Sequence, residues 1–159
     1  GLKVGITRRS QVPTRWLDQG AVQALPILKV ATRYQSGLVE TAFKDFVNDR
    51  TNWQAMLKNQ VDPLDMPAER DRLFGSVEDA LQALERRFGV VAVQRLYDAE
   101  PVSLEYPVLN YPQKVSSLSF DKTPLVEGTL QGIKGQYLIL DTGVINIRKF
   151  TAYQVEFSA

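Results

Sequence analysis

Cysteine and histidine are both absent from the 159 residues of this chain. Without cysteine there is no disulfide framework, no thiolate metal site and no thiol nucleophile, and a reducing compartment is allowed. Without histidine there is no serine–histidine triad, no histidine-ligated zinc, and no side chain that ordinarily changes charge near neutral pH. Any catalysis must therefore use Asp, Glu, Lys, Tyr or Arg, with an oxygen-ligated ion such as Mg²⁺ or Mn²⁺ as the compatible metal. Long apolar runs are missing too. None approaches the roughly 20 residues that span a bilayer, and no signal-peptide pattern opens the chain, so it reads as soluble and cytoplasmic, with no membrane partner.

What is present is an ordinary globular composition, 44% apolar, with a formal charge of +1 that hides strong segregation. Gly1 to Asn59 carries nine Lys and Arg against four acids. Gln60 to Pro107 reverses this with ten acids against five bases, and the remainder is nearly balanced. A basic module beside an acidic connector points to a surface that meets a polyanion; mutual neutralisation of the two blocks is the other outcome such a pattern allows.

Leu2 to Thr7 alternates about Gly5 and predicts a strand, which wants a hairpin partner, so the sequence is expected to continue upstream. Pro13 predicts entry into a short helix ended by Gly20. Val22 to Val30, interrupted by Pro26, predicts an edge strand or a strand pair. Leu38, Val39, Ala42, Phe43, Phe46 and Val47 recur at helical spacing within Arg33 to Val47, with Glu40 and Lys44 one turn apart on another face. Thr51 can cap a brief helix carrying Trp53, Met56 and Leu57. Asp62-Pro63 and Met66-Pro67 mark a connector, followed by a helix from Ser76 to Gly89. Val90 to Tyr97 is open between strand and helix. Beyond Val102 five apolar runs, Val115 to Phe120, Leu125 to Ile133, Gln136 to Leu140, Val144 to Ile147 and Tyr153 to Phe157, predict a small antiparallel β-barrel of OB or SH3 type.

Several constellations bear on chemistry. Arg15 and Glu40, on successive helices, can flank a phosphate, the arginine opposing developing charge and the glutamate holding a divalent ion. An interhelical salt bridge uses the same pair. Gly5 beside Arg8 and Arg9 allows close backbone approach of a phosphate, and a turn glycine needs no ligand to explain it. Lys134, Arg148 and Lys149, with Tyr137 and Tyr153, can line a barrel face that neutralises and stacks a single strand, or form plain barrel surface. Asp141-Thr142-Gly143 has the look of an aspartic-protease loop, but a hairpin turn is the simpler reading. Gly128, Gly132 and Gly135 lack the helix that a dinucleotide fingerprint requires. Trp16, Trp53 and the phenylalanines read as core.

Leu2-Lys3-Val4-Gly5-Ile6-Thr7-Arg8, Pro13-Thr14-Arg15-Trp16, Ser36-Gly37-Leu38-Val39-Glu40, Thr51-Asn52-Trp53, Tyr106-Pro107-Val108 and Gly132-Ile133-Lys134-Gly135-Gln136-Tyr137-Leu138 carry a resemblance over nearly the whole chain. They are similar to the uncharacterised bacterial family called domain of unknown function 2797. That resemblance implies a cysteine-rich, zinc-binding segment upstream of the residues present here. Residues 1–60 also resemble the core of GIY-YIG nucleases. By that resemblance Gly5 stands for the strand glycine, Arg15 for the helix arginine and Glu40 for the metal-binding glutamate, while Lys3 occupies the place of a tyrosine.

The combined expectation is an α+β protein with a GIY-YIG-like α/β module over 1–60, a helical connector over 61–100 and a β-barrel over 101–159. The function expected is nucleic-acid processing on DNA or RNA. Arg15, Glu40 and Lys3 would be catalytic, and Glu40 would hold Mg²⁺ or Mn²⁺. Gly5, Arg8, Arg9, Arg33, Lys44, Lys134, Arg148 and Lys149 would contact the nucleic acid. A non-catalytic nucleic-acid-binding module and a protein-interaction module are the alternatives.

Overall fold

The computed structural model describes residues 1–48 and 50–159. Its elements run α1 (Thr14–Asp18), β1 (Gln23–Ala24), β2 (Leu28–Val30), α2 (Arg33–Phe43), α3 (Trp53–Leu57), α4 (Met66–Ser76), α5 (Glu78–Phe88), β3 (Val93–Arg95), β4 (Val102–Ser103), β5 (Leu130–Lys134), β6 (Tyr137–Leu140) and β7 (Val144–Asn146). Helices and short antiparallel sheets are mixed, as an α+β class requires. The chain separates into two compact units. One comprises Gly1–Arg15, Val22–Asn52 and Val61–Leu104; the other comprises Trp16–Ala21, Trp53–Gln60 and Glu105–Ala159.

The first unit is built on α2, α4 and α5. Val39, Phe43, Leu73, Phe74, Val77 and Leu81 form its core, with Leu2, Val4, Ile27, Leu28, Val30 and Leu84 packed around them. Two ladders accompany the helices: β1 pairs with β4, and β2 with β3 in the register Leu28↔Arg95, Lys29↔Gln94 and Val30↔Val93. Arg95 on β3 fixes this sheet to α5. Its Nη1 lies 2.5 Å from Glu78 Oε2 and its Nε 2.6 Å from Glu85 Oε1. Hydrogen bonding to the two carboxylates raises the Arg95 pKa, and the guanidinium in turn lowers that of Glu78.

Helix α2 starts at a capping box. The Thr32 hydroxyl accepts from the Gln35 amide at 3.2 Å while the Gln35 side chain accepts from the Thr32 amide at 3.0 Å, satisfying two amides that would otherwise lack partners. Thr32→Ala is expected to lower the stability of the first unit by about 1 kcal/mol, read as a shift in the urea midpoint at constant slope.

The second unit holds the three-stranded antiparallel sheet β5-β6-β7 over a core of Met56, Leu57, Ile139 and Val144. Trp53 stacks flat on Tyr137 with ring centroids 5.8 Å apart. Asp141-Thr142-Gly143 is the turn of the β6–β7 hairpin, closed by the Leu140 amide donating to the Gly143 carbonyl at 2.8 Å.

The structure corrects the sequence reading in three places. Within the expected helical connector, Met66-Pro67 opens a helix, Met66–Ser76, rather than marking a break before one: Asp65 caps it through the Ala68 amide, and Pro67 falls in the first turn, where its missing N–H is not needed. Leu2 to Thr7 keeps its alternation, with Leu2, Val4 and Ile6 half-buried and Lys3, Gly5 and Thr7 exposed, but joins no ladder among the described residues. The third correction concerns the barrel. Of its five expected strands only three pair into a sheet; beyond them β5 and β7 meet only single bridges, Val108↔Gly132 and Ser117↔Val144. A barrel needs an unbroken ladder around its circumference, and Pro107, Pro112 and Pro124 each remove a donor from the stretch that would supply it.

Candidate nucleic-acid interface

The basic residues of the first unit are presented in two ways. Along α2 the buried stripe is Gln35, Val39 and Phe43, at i, i+4 and i+8. At 3.6 residues per turn, Arg33, Gly37 and Glu40 then fall on a separate stripe, which Lys44 continues in the following turn. Arg33 and Lys44 are exposed and Glu40 is half-buried. A Cβ built on Gly37 would meet nothing within 4 Å, so backbone is open between the charges. The remaining cations lie nearer the start of the chain. Lys3 and Gly5 alternate outward from Leu2 and Val4; Arg8 precedes and Arg9 opens a short 3-10 turn, and Arg15 sits exposed on α1.

Ion pairing separates these cations from the rest. Among the described residues the ion pairs are Arg70–Asp71, Arg72–Glu69, Arg95–Glu78 and Arg95–Glu85, all within 69–95. The acidic stretch is thus partly neutralised by its own arginines. Arg8, Arg9, Arg15, Lys29, Arg33, Lys44 and Arg50 are exposed and take part in none of these pairs. No ion pair joins Arg15 to Glu40 among the described residues, so the bland interhelical bridge is not formed. No group of three or more acidic side chains able to hold a metal ion occurs among them either.

In the second unit the expected nucleic-acid residues part company. Arg148 and Lys149 are exposed in the 3-10 turn Ile147–Phe150. Lys134 is wholly buried, at 0% exposure. Its Nζ donates to Asn59 Oδ1 at 3.1 Å and lies 5.2 Å and 5.0 Å from the ring centres of Tyr106 and Tyr111. Burial lowers the Lys134 pKa and, by the same disfavouring of charge, raises Tyr106 to about 12. The Tyr106 hydroxyl donates to the Ala21 carbonyl at 2.7 Å. An ammonium enclosed in this way is unable to reach a phosphate from the surface.

Sequence reasoning passed over Tyr34 and Arg87, which the fold brings together with Phe88 where α2 begins and α5 ends. The signal available was the run Arg86-Arg87-Phe88 closing an amphipathic helix, read only for its apolar positions.

The frame is α+β, its first unit carries exposed cations that join no ion pair among the described residues, and its acidic segment is paired within itself. The chain belongs to the family described as protein of unknown function (DUF2797), whose model matches residues 1–155. Neither a curated protein nor a solved structure matches it. No helix of the described residues is long and apolar enough to cross a membrane.

Proposed function

We propose that this chain is a nucleic-acid-processing protein whose first unit holds a phosphate backbone on Arg8, Arg9, Arg15, Arg33 and Lys44. The observation that carries the reading is the division of charge. Acids at 69, 71, 78 and 85 are engaged by arginines of their own segment, while these N-terminal cations stay exposed and have no ion partner among the described residues. Cations so placed can release condensed counterions when they meet a polyanion, which is the main source of sequence-independent affinity.

The resemblance of residues 1–60 to GIY-YIG nucleases adds a catalytic half. Glu40 is the candidate ligand for Mg²⁺ or Mn²⁺, Arg15 the group on the scissile phosphate and Lys3 the remaining basic residue. A single half-exposed carboxylate suits Mg²⁺, which keeps several waters and shares its shell with substrate phosphates. Bound there, the ion would activate water or the leaving oxygen. Binding without cleavage is the second reading, favoured by Lys3 at the place of a tyrosine.

The test is incubation of the chain with Mg²⁺ and labelled DNA or RNA. Cleavage should appear and Glu40→Ala should abolish it, while binding of the mutant without metal is not weakened by more than about twofold, because a carboxylate makes no favourable contact with phosphate. Equal cleavage by the mutant would remove Glu40 from the chemistry.

A further inference from the structure

Where α2 begins and α5 ends, two rings and an arginine form a cluster that phosphate binding alone does not require. Tyr34 is 60% exposed, although it carries one of the larger apolar surfaces of the first unit. Its ring meets Phe88 edge to face, with centroids 6.3 Å apart and planes 83° apart. The Arg87 guanidinium lies 4.7 Å from the Phe88 ring centre and 5.8 Å from that of Tyr34, and donates to the Tyr34 hydroxyl at 3.4 Å. Among the described residues Arg87 is thus held by aromatic faces and a hydroxyl rather than by a carboxylate, so its positive charge is kept in place without being cancelled. Arg33 and Arg86, the chain neighbours of Tyr34 and Arg87, are both exposed.

We propose that this cluster is a stacking platform for single-stranded nucleic acid. An unpaired base lies on the open part of the Tyr34 ring, whose orientation Arg87 and Phe88 fix, and Arg33, Arg86 and Arg87 neutralise the phosphates on either side. The inference rests on the nucleic-acid reading above and adds which form of nucleic acid is taken. Every base presents a π face, so an exposed ring among cations accepts a strand whatever its sequence, whereas a duplex keeps its bases stacked on each other and offers the ring nothing. The anion contacts are assigned to the arginine side chains, since the capping box already occupies the Thr32 and Gln35 amides, two of those at the start of α2.

The experiment measures binding of a fluorescent single-stranded oligonucleotide, and of a duplex of the same length, to the whole chain at low salt. Wild type, Tyr34→Phe, Tyr34→Ala and Arg33→Gln are compared, with folding of each checked by circular dichroism. Tyr34→Ala should weaken single-strand binding by about tenfold and leave duplex binding within about twofold, while Tyr34→Phe keeps the ring and the affinity. The salt slope should be unchanged in Tyr34→Ala and should fall by about 1 in Arg33→Gln, because one removes stacking and the other a phosphate contact. Unchanged single-strand binding by Tyr34→Ala, or an equal loss for strand and duplex, overturns the platform while the nucleic-acid reading stands. If wild type binds neither form, the nucleic-acid reading fails and the platform fails with it.

Discussion

Raising monovalent salt from about 50 mM to about 200 mM should weaken nucleic-acid binding by about 10²-fold, if about four phosphates are neutralised at once. Four contacts give a slope of log affinity against log salt near −4, with a negative sign because binding releases counterions that added salt forces back. The internal control is provided by the same fold. Replacing Arg8 and Arg9 together by Gln should make the slope shallower by about 2, since both side chains are exposed and without an ion partner among the described residues. Replacing Arg72 should leave the slope where it was, because its guanidinium is already engaged by Glu69 at 2.8 Å. Fluorescence anisotropy across a salt series reads both. A wild-type slope shallower than about −1 would sink the proposed phosphate contacts.

Lys134→Ala should destabilise the second unit by about 2–5 kcal/mol, whereas Lys134→Met should cost less than about 1 kcal/mol or stabilise. Alanine removes a fully buried side chain and opens a cavity under Tyr106 and Tyr111, while the loss of the donor to Asn59 is common to both replacements. Methionine fills most of that volume and removes a charge whose desolvation was only partly offset by one hydrogen bond and two ring faces. The pH dependence supplies the sign. Tyr106 has its pKa raised from 10.0 to about 12, so the stability it contributes is present below pH 10 and lost as pH rises toward 12. Lys134 has its pKa lowered from 10.5, so its contribution is present above pH 10.5 and lost as pH falls through its folded-state value. The two oppose each other only between about pH 10 and 10.5, so Lys134→Met should show a steeper loss of stability there and the same loss as wild type from about pH 10.5 to 12. Urea unfolding at a series of pH values decides it. Equal destabilisation by Ala and Met would show that the ammonium itself, not the volume, holds the site, and nucleic-acid affinity of Lys134→Met should not change.

Family membership follows from the sequence as a whole, but the site emerged unevenly. The face that carries Glu40 and Lys44 was legible because helical spacing alone separates it from Val39 and Phe43. The Tyr34–Arg87 cluster was not, because 53 residues separate its members and only the approach of α2 to α5 unites them. Lys134 is the sharpest reversal. Alternation in Leu130 to Lys134 suggests isoleucine inward and lysine outward, yet Ile133 is 45% exposed and Lys134 fully buried. Gly132 accounts for the register. A Cβ there would come within 2.6 Å of Val108 Cα, so the close approach of that segment selects the face shared by residues 132 and 134 as the inner one.

By itself the sequence determined the helices α2 and α5 and the β6–β7 hairpin, because their hydrogen bonds close between near neighbours and the caps and turn residues that end them are adjacent in the chain. Only the tertiary structure decided which extended segments become strands. Leu2 to Thr7 and Tyr153 to Phe157 have the alternation of strands and join no ladder among the described residues, while Val93–Arg95, open between helix and strand in the sequence, became one because Leu28–Val30 lay beside it. A helix satisfies its own backbone; a strand depends on a partner that the local sequence does not name.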